Sequence, residues 1–310
     1  MTLEQLRIFV AVAELEHVTR AARRLNLSQS ATSAAVAALE QNHATILFHR
    51  IGRSVRLTEA GRVFLVEAKA VLARAAAAEA MLDDLAGLRH GTLTVYASQT
   101  IASYWLPPHL VRFRRAYPGI DIRLSVGNTA QVARAVEDGT AELGLVEGAV
   151  DEERFDLTVV GHDRLVLIAG AGHPWGDGRH IALEDLASTD WVLREVGSGT
   201  RSEFEFVLRK AGIDPAQLKV AMELPSNEAV RAAVAAGGGV TAISELVAEG
   251  GIQAGELRAV PLEATERAFF AVRHRESYRS KAADALLRAI AEAEEGAAHA
   301  PSPALPGGRR

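Results

Sequence analysis

The sequence predicts an α/β protein: a small helical head closed by a hairpin, one long connecting helix, and a body made of two α/β units. Three observations predict it. Apolar residues recur at helical spacing through residues 3–41. A proline-free stretch from Thr58 to about Leu88 keeps one apolar stripe along its length. After Gly91, short strands take turns with amphipathic helices, the pattern of a parallel sheet covered by helices. A length of 310 residues suits two or three such compact units.

Composition narrows the function. The chain has no cysteine, which excludes disulfide frameworks, thiolate metal sites and cysteine nucleophiles. Its amino terminus has no basic segment leading into an apolar run, and no stretch is apolar for long enough to span a bilayer. A cytoplasmic protein with no membrane partner is expected. The net charge of −5 conceals an asymmetry: residues 1–62 carry +3 and the remainder −8. A basic head on an acidic body suggests a polyanion-binding module joined to something else.

In the head, Thr2 and Gln5 fit a capping box, and Leu6, Phe9, Val10 and Ala13 then share one buried face. A second short helix fits Val18–Leu25, where Ala21 and Ala22 admit a neighbouring backbone. Asn26 and Leu27 turn the chain, and Ser28 can cap a third helix to about Gln41. On that helix Thr32, Val36 and Leu39 face inward, and Gln29, Ser30, Ser33 and Ala37 outward. Helix, short turn, then a helix opening with Gln and hydroxyls is the layout of a helix-turn-helix. Its second helix fits a major groove, where Gln pairs with adenine and Ser or Thr reach base edges or phosphates. Between Phe48 and Leu57, Gly52 permits a tight turn and Val55 and Leu57 alternate with Arg56, which reads as a hairpin wing near phosphate or minor groove. The candidate DNA contacts are Arg20, Ser28, Gln29, Ser30, Thr32, Ser33, Arg50, Arg53 and Arg56, and double-stranded DNA is the expected partner. A three-helix packing module with a solvated arginine face is the competing account.

Residues 1–62 resemble the winged helix-turn-helix of LysR-type transcriptional regulators. The resemblance rests on Leu6 and Phe9, Ala21-Ala22, Leu25, Ser28-Gln29-Ser30-Ala31, Ser33, Leu39-Glu40, Leu47-Phe48, Arg50, Leu57-Thr58 and Ala60-Gly61, in order and spacing. It implies that the segment around Gln29, Ser30 and Ser33 reads the groove and that Arg50 lies on the wing. Three departures stand out: Glu16-His17-Val18 in place of Gly-Ser-Phe, His43-Ala44 in place of Leu-Gly, and Thr32 at a position usually apolar. The threonine hydroxyl can bond back to its own helix.

From Thr58 a helix of roughly 45 Å is expected at 1.5 Å per residue. Leu57, Gly61, Phe64, Ala68, Val71, Ala75, Ala78, Leu82 and Leu85 alternate spacings of four and three, a heptad seam that needs a partner. A homodimer is expected, in parallel or antiparallel pairing, against packing on the chain's own body. The resemblance implies that such a helix joins two DNA-binding heads, possessing two-fold symmetry that calls for an inverted-repeat operator.

The body reads as strands near Leu93–Val95, Ile122–Val126, Leu143–Val146, Leu165–Ala169, Trp191–Arg194, Lys219–Glu223, Val240–Ile243 and Phe269–Arg273, with helices between. It resembles the effector-binding part of the same family, similar in fold to periplasmic solute-binding proteins, which implies two subdomains that the chain crosses twice. The expected divisions are 1–58 for the winged helix-turn-helix, 59–90 for the linker helix and 91–295 for the effector-binding domain. Within the last, subdomain I spans 91–162 and 267–295, and subdomain II 163–266. A disordered tail is expected over 296–310.

Ligands of open α/β sheets lie beyond the carboxyl ends of the strands. Ser98, Gln99 and Thr100, then Asn128 and Thr129, then Ser198, Gly199, Thr200 and Arg201 occupy such positions before helices. Helix amino termini and hydroxyls favour an anion, and Arg201 could add a charge-assisted bond. Helix capping alone is the competing account for each residue. Glu147, just after a strand, could accept bonds from a ligand, though a solvated carboxylate is the plainer reading. The resemblance supports Ser98–Thr100, Thr129 and Ser198–Thr200 as inducer contacts. The segments Thr100–Pro107, Gly127-Asn128-Thr129 and Val146-Glu147-Gly148 resemble a subgroup linked to sulfite reductase and sulfur assimilation.

No enzyme signature competes well. His173 and His180 have no metal-pair spacing, Gly237-Gly238-Gly239 lacks the Lys and hydroxyl of a phosphate loop, and Glu184-Asp185 has no nucleophile elbow beside it. The expectation is a non-enzymatic, cofactor-free and metal-free regulator that senses a small anionic effector. It pairs as a homodimer or homotetramer, with RNA polymerase a candidate partner. The alternative is a solute-binding or metabolic protein with no regulatory role.

Overall fold

The structure, a computed structural model, describes residues 1–52, 54–85, 90–177, 181 and 183–298. Contacts divide the chain into two compact units: residues 1–82 with 137–140, and residues 83–136 with the chain from 141 onward.

The first unit opens with α1 (Leu3–Leu15), started by the capping box: the Gln5 amide donates to Thr2 Oγ1 and the Thr2 amide to Gln5 Oε1. Next come α2 (Val18–Arg24), capped by His17 Nδ1, and α3 (Gln29–Asn42), capped by the Ser28 hydroxyl. Strands β1 (Phe48–Ile51) and β2 (Ser54–Leu57) form the antiparallel hairpin. Glu40, near the end of α3, fixes where the hairpin begins: its Oε1 accepts the Leu47 and Phe48 amides at 2.7 and 3.1 Å. Phe9 is the centre of the core, with Phe48 and Phe64 rings 5.4 and 4.9 Å away. Truncating a fully buried phenylalanine of this kind costs about 3–5 kcal/mol.

Thr58 caps α4 (Glu59–Leu85) through the Gly61 amide and donates to the Ile46 carbonyl. Gly61 is required there, because a Cβ would fall 2.2 Å from the Leu47 carbonyl oxygen. The expected seam divides into two parts. Gly61, Phe64 and Ala68 pack into the head, whereas Val71, Leu82 and Leu85 are exposed, as are the neighbouring Val63, Val66 and Met81.

In the second unit, β3 (Gly91–Ser98) leads through a wide π-type turn at Ile101–Trp105 into α5 (Leu106–Ala116), with Pro107 and Pro108 in its first turn, where a missing N–H is harmless. There follow β4 (Ile120–Gly127), α6 (Thr129–Glu137), β5 (Leu143–Glu147), β6 (Phe155–Gly170), β7 (Asp190–Arg194), α7 (Gly199–Lys210), β8 (Lys219–Leu224), α8 (Asn227–Ala235), β9 (Val240–Ser244), α9 (Glu245–Gln253), β10 (Leu257–His274) and α10 (Lys281–Ala298). The strands run in the order β4-β3-β5-β10-β6-β9-β7-β8.

The expected parallel pairing holds for β3, β4 and β5 and again for β7, β8 and β9, and the middle of the sheet adds an antiparallel part that was not expected. The outer pairings are parallel, but β5, β10, β6 and β9 pair antiparallel in succession. The two chain crossings are themselves strands: β6 has 16 residues and β10 has 18, far longer than the expected segments. Each pairs in one half of the body over its first part and in the other half over its second. Asp163 and Arg267 face each other in register between those parts. The helix α10 runs past the expected boundary at 295 to Ala298, and the remaining tail lies outside the described residues.

One half is built on Leu106, Phe113, Phe269, Leu286 and Ile290, the other on Trp191, Phe204, Leu208 and Val240. Trp191 is fully buried and satisfies its indole N–H on the Leu186 carbonyl at 2.7 Å.

Candidate functional site

The head presents one polar face. Gln29 and Ser30 are exposed on the first turn of α3, with Ser33 half-buried one turn on and Ser28 exposed at the cap. The Gln29 amide donates to Ser33 Oγ at 3.3 Å, and the Ser28 and Ser30 hydroxyls lie 3.0 Å apart, so these side chains form two bonded pairs on the start of α3. Arg50 and Arg56 are exposed on opposite strands of the wing and Arg20 on α2. Thr32 does not belong to this face: it is fully buried, and its hydroxyl donates to the Ser28 carbonyl at 3.1 Å. As a direct DNA contact it is corrected. Arg53 lies outside the described residues.

In the body, residues from both halves meet around Glu147, the last residue of β5, which is 2% exposed rather than solvated. Ser98 donates to Glu147 Oε2 and Thr200 to Oε1 at 3.4 Å, so one carboxylate holds the end of β3 and the start of α7. The Glu147 carbonyl accepts Thr129 Oγ1 at 2.7 Å. Gly199 lies against the same carbonyl, where a Cβ would come within 1.9 Å. Thr200 Oγ1 also accepts Arg267 Nη1 at 3.2 Å, and Arg267 grips Asp163 through Nε and Nη2 at 2.9 and 2.6 Å. Ser244 donates to the second Asp163 oxygen. Burial pushes the nearby Glu203 carboxyl up, Arg267 pulls it back, and Glu147 adds to the rise.

A second chain of polar groups crosses between the halves. The Asn227 amide nitrogen of α8 donates to Gln99 Oε1 at 2.7 Å, and its side chain donates to Thr100 Oγ1 at 3.0 Å. Its oxygen accepts Arg194 Nη1. Arg194 also donates to Glu195 from Nε and Nη2, and Glu195 Oε1 accepts Asn128 Nδ2 at 3.1 Å. Burial works to raise the Glu195 carboxyl, and the bonds from Arg194 and Asn128 overcome it, leaving it below the ordinary value.

Ser98, Gln99, Thr100, Asn128, Thr129, Glu147, Gly199 and Thr200 are thus brought together. Ser198 is buried beside them, and its hydroxyl makes no capping bond. Arg201 is engaged within the protein: its guanidinium is held by Glu205, Glu223 and the Arg194 carbonyl. Sequence reasoning missed Asp163, Arg194, Asn227 and Arg267. Charged residues inside otherwise apolar strands were the available signal for Arg194 and Arg267. Among the described residues no group of His, Asp and Glu could hold a metal ion, and no helix is long and apolar enough to cross a membrane. His180 lies outside them.

Polar side chains offered outward from a helix, and others drawn together inside a two-part body, are how a DNA-binding regulator with an effector domain is built. Residues 3–62 match the bacterial regulatory helix-turn-helix proteins of the lysR family, and residues 86–295 match the LysR substrate binding domain. The chain is 36% identical over 284 residues to an uncharacterized HTH-type transcriptional regulator, YeiE, of Escherichia coli, across 91% of this chain and 94% of that one. It is 35% identical over 294 residues to a probable RuBisCO transcriptional regulator of Synechocystis, across 93% and 85%. Full-length CbnR complexed with its target DNA shares the fold, with a TM-score of 0.67 at 22% identity over 95% of this chain and 100% of that one. The chain belongs to the LysR family: it is a LysR-type DNA-binding transcriptional regulator.

Proposed function

We propose that this regulator binds a small anion between the two halves of its body and, paired through α4 as a homodimer or homotetramer, controls transcription from an inverted-repeat operator in the cytoplasm. It catalyses no reaction, and RNA polymerase is its further partner. The halves divide at 162/163 and 266/267. One observation carries the reading: hydroxyl and amide side chains at the ends of β3 and β4, at the start of α7 and on α8 are drawn together around Glu147 and the Arg194–Glu195 pair, where the two halves meet. A ligand there favours one orientation of the halves only through a difference in affinity between orientations.

The effector is a sulfur oxyanion or a small carboxylate; the resemblance to sulfur-assimilation regulators favours the first. A thermal-shift screen with sulfite, sulfate, malonate and succinate separates the two. Footprinting on the promoter region of its own gene, with and without the stabilising compound, then tests regulation. A protected site whose length changes with the compound is expected. A protein that ignores duplex DNA at low ionic strength, or a footprint indifferent to every compound that binds, would overturn the proposal.

A further inference from the structure

We propose that Arg194 is the anion-receiving group of the effector cleft, and that Glu195, its neighbour in the chain, is an internal stand-in that the effector displaces. The inference rests on the effector reading of the cleft.

Arg194 is the last residue of β7, at the carboxyl end of its strand, where open α/β sheets receive ligands. It is 5% exposed, and its guanidinium is oriented by a partner behind it, the Asn227 oxygen on Nη1. That leaves Nε and Nη2, the two parallel N–H groups that match a pair of anion oxygens. Glu195 fills this fork with both oxygens, at 2.8 and 3.0 Å.

The two partners of Arg194 differ in exposure. Asn227 is fully buried and tied to Gln99 and Thr100 across the cleft. Glu195 is 23% exposed, and its carboxylate is otherwise held by the Asn128 amide and by its own backbone N–H. A carboxylate or oxyanion entering from solvent would offer the fork the same two oxygens and accept the same Asn128 bond, while Glu195 turns outward. The exchange replaces one anion by another, so the buried guanidinium never stands unpaired, a condition that would be costly. It also connects ligand to conformation: Asn128 belongs to one half of the body, Arg194 and Asn227 to the other.

The test uses the full-length protein, titrated with sodium sulfate, phosphate or malonate at constant ionic strength and read by calorimetry and thermal shift. If Glu195 masks the fork in about nine molecules of ten, Glu195→Ala binds these anions about tenfold tighter than the wild type, with Glu195→Gln between. Adding Arg194→Lys, which keeps the charge but loses the fork, brings the affinity back to the wild-type level or below. Operator binding in gel-shift assays reports that each variant is folded. Equal affinity in the wild type and Glu195→Ala, or equally tight binding after Arg194→Lys, overturns the assignment while leaving the cleft reading intact. Anion binding by none of the forms overturns both. The preferred anion separates sulfur, phosphorus and carboxylate sources.

Discussion

Thr32 and Gln29 sit three residues apart on one helix, yet one is sealed in the core and the other faces out. Thr32→Val is expected to leave operator affinity within about twofold, since only a back-bond to the helix is lost. Gln29→Ala is expected to cost about 1–3 kcal/mol and to relax preference at one base pair; binding to a panel of mutated operators checks both. His109 gives a pH prediction. Burial lowers its pKa, with Arg112 reinforcing and Glu294, 3.4 Å away, opposing. The unfolded chain therefore takes up the proton more readily than the folded one. The stability contributed by the neutral ring is complete above about pH 6.5 and lost as pH falls through the lower folded value. Urea unfolding at pH 7.5 and 5.5 should show this loss, and His109→Gln should reduce it. Residue-scale legibility followed position in the chain. Ser98, Thr100 and Thr200 were readable because a hydroxyl between strand and helix is a local pattern. Arg267 and Asp163 were not, because each looks like a lone charge until two strands 104 residues apart are laid side by side.

At the scale of elements, α4 was readable in its start and its stripe, but not in where its stripe changes partner; its expected end near Leu88 lies outside the described residues. Phe64 and Ala68 are covered by the head's own core, while Val71, Met81 and Leu82 are bare. Leu82→Asp is expected to shift the protein to monomer in sedimentation velocity and to weaken binding to a two-half-site operator far more than to a single half-site. A variant at Phe64 should instead lower the melting temperature. The crossing strands were half readable. Leu165–Ala169 and Phe269–Arg273 are apolar enough to announce themselves, but Asp156–His162 and Arg258–Arg267 mix charge, glycine and proline. Their pairing comes from each other, and no local period reports that.

At the scale of the whole molecule, opposite charge biases separate the duties: +3 over residues 1–62 and −8 over the rest. Operator binding should weaken with added salt, and Arg50→Ala should lower the logarithmic salt slope by about one across all sequences. An unchanged slope would remove the wing from the phosphate contacts. The paired crossings have a mechanical outcome. Flexible connectors would let the body gape like a shell, but β6 and β10 are laced together on both sides of Asp163 and Arg267. Gaping would tear that lacing, whereas torsion about the ribbon's long axis would not. The pairing shifts register between Val260 and Thr265 and between Phe269 and Phe270. A ligand would therefore wring this body through a small angle rather than prise it apart.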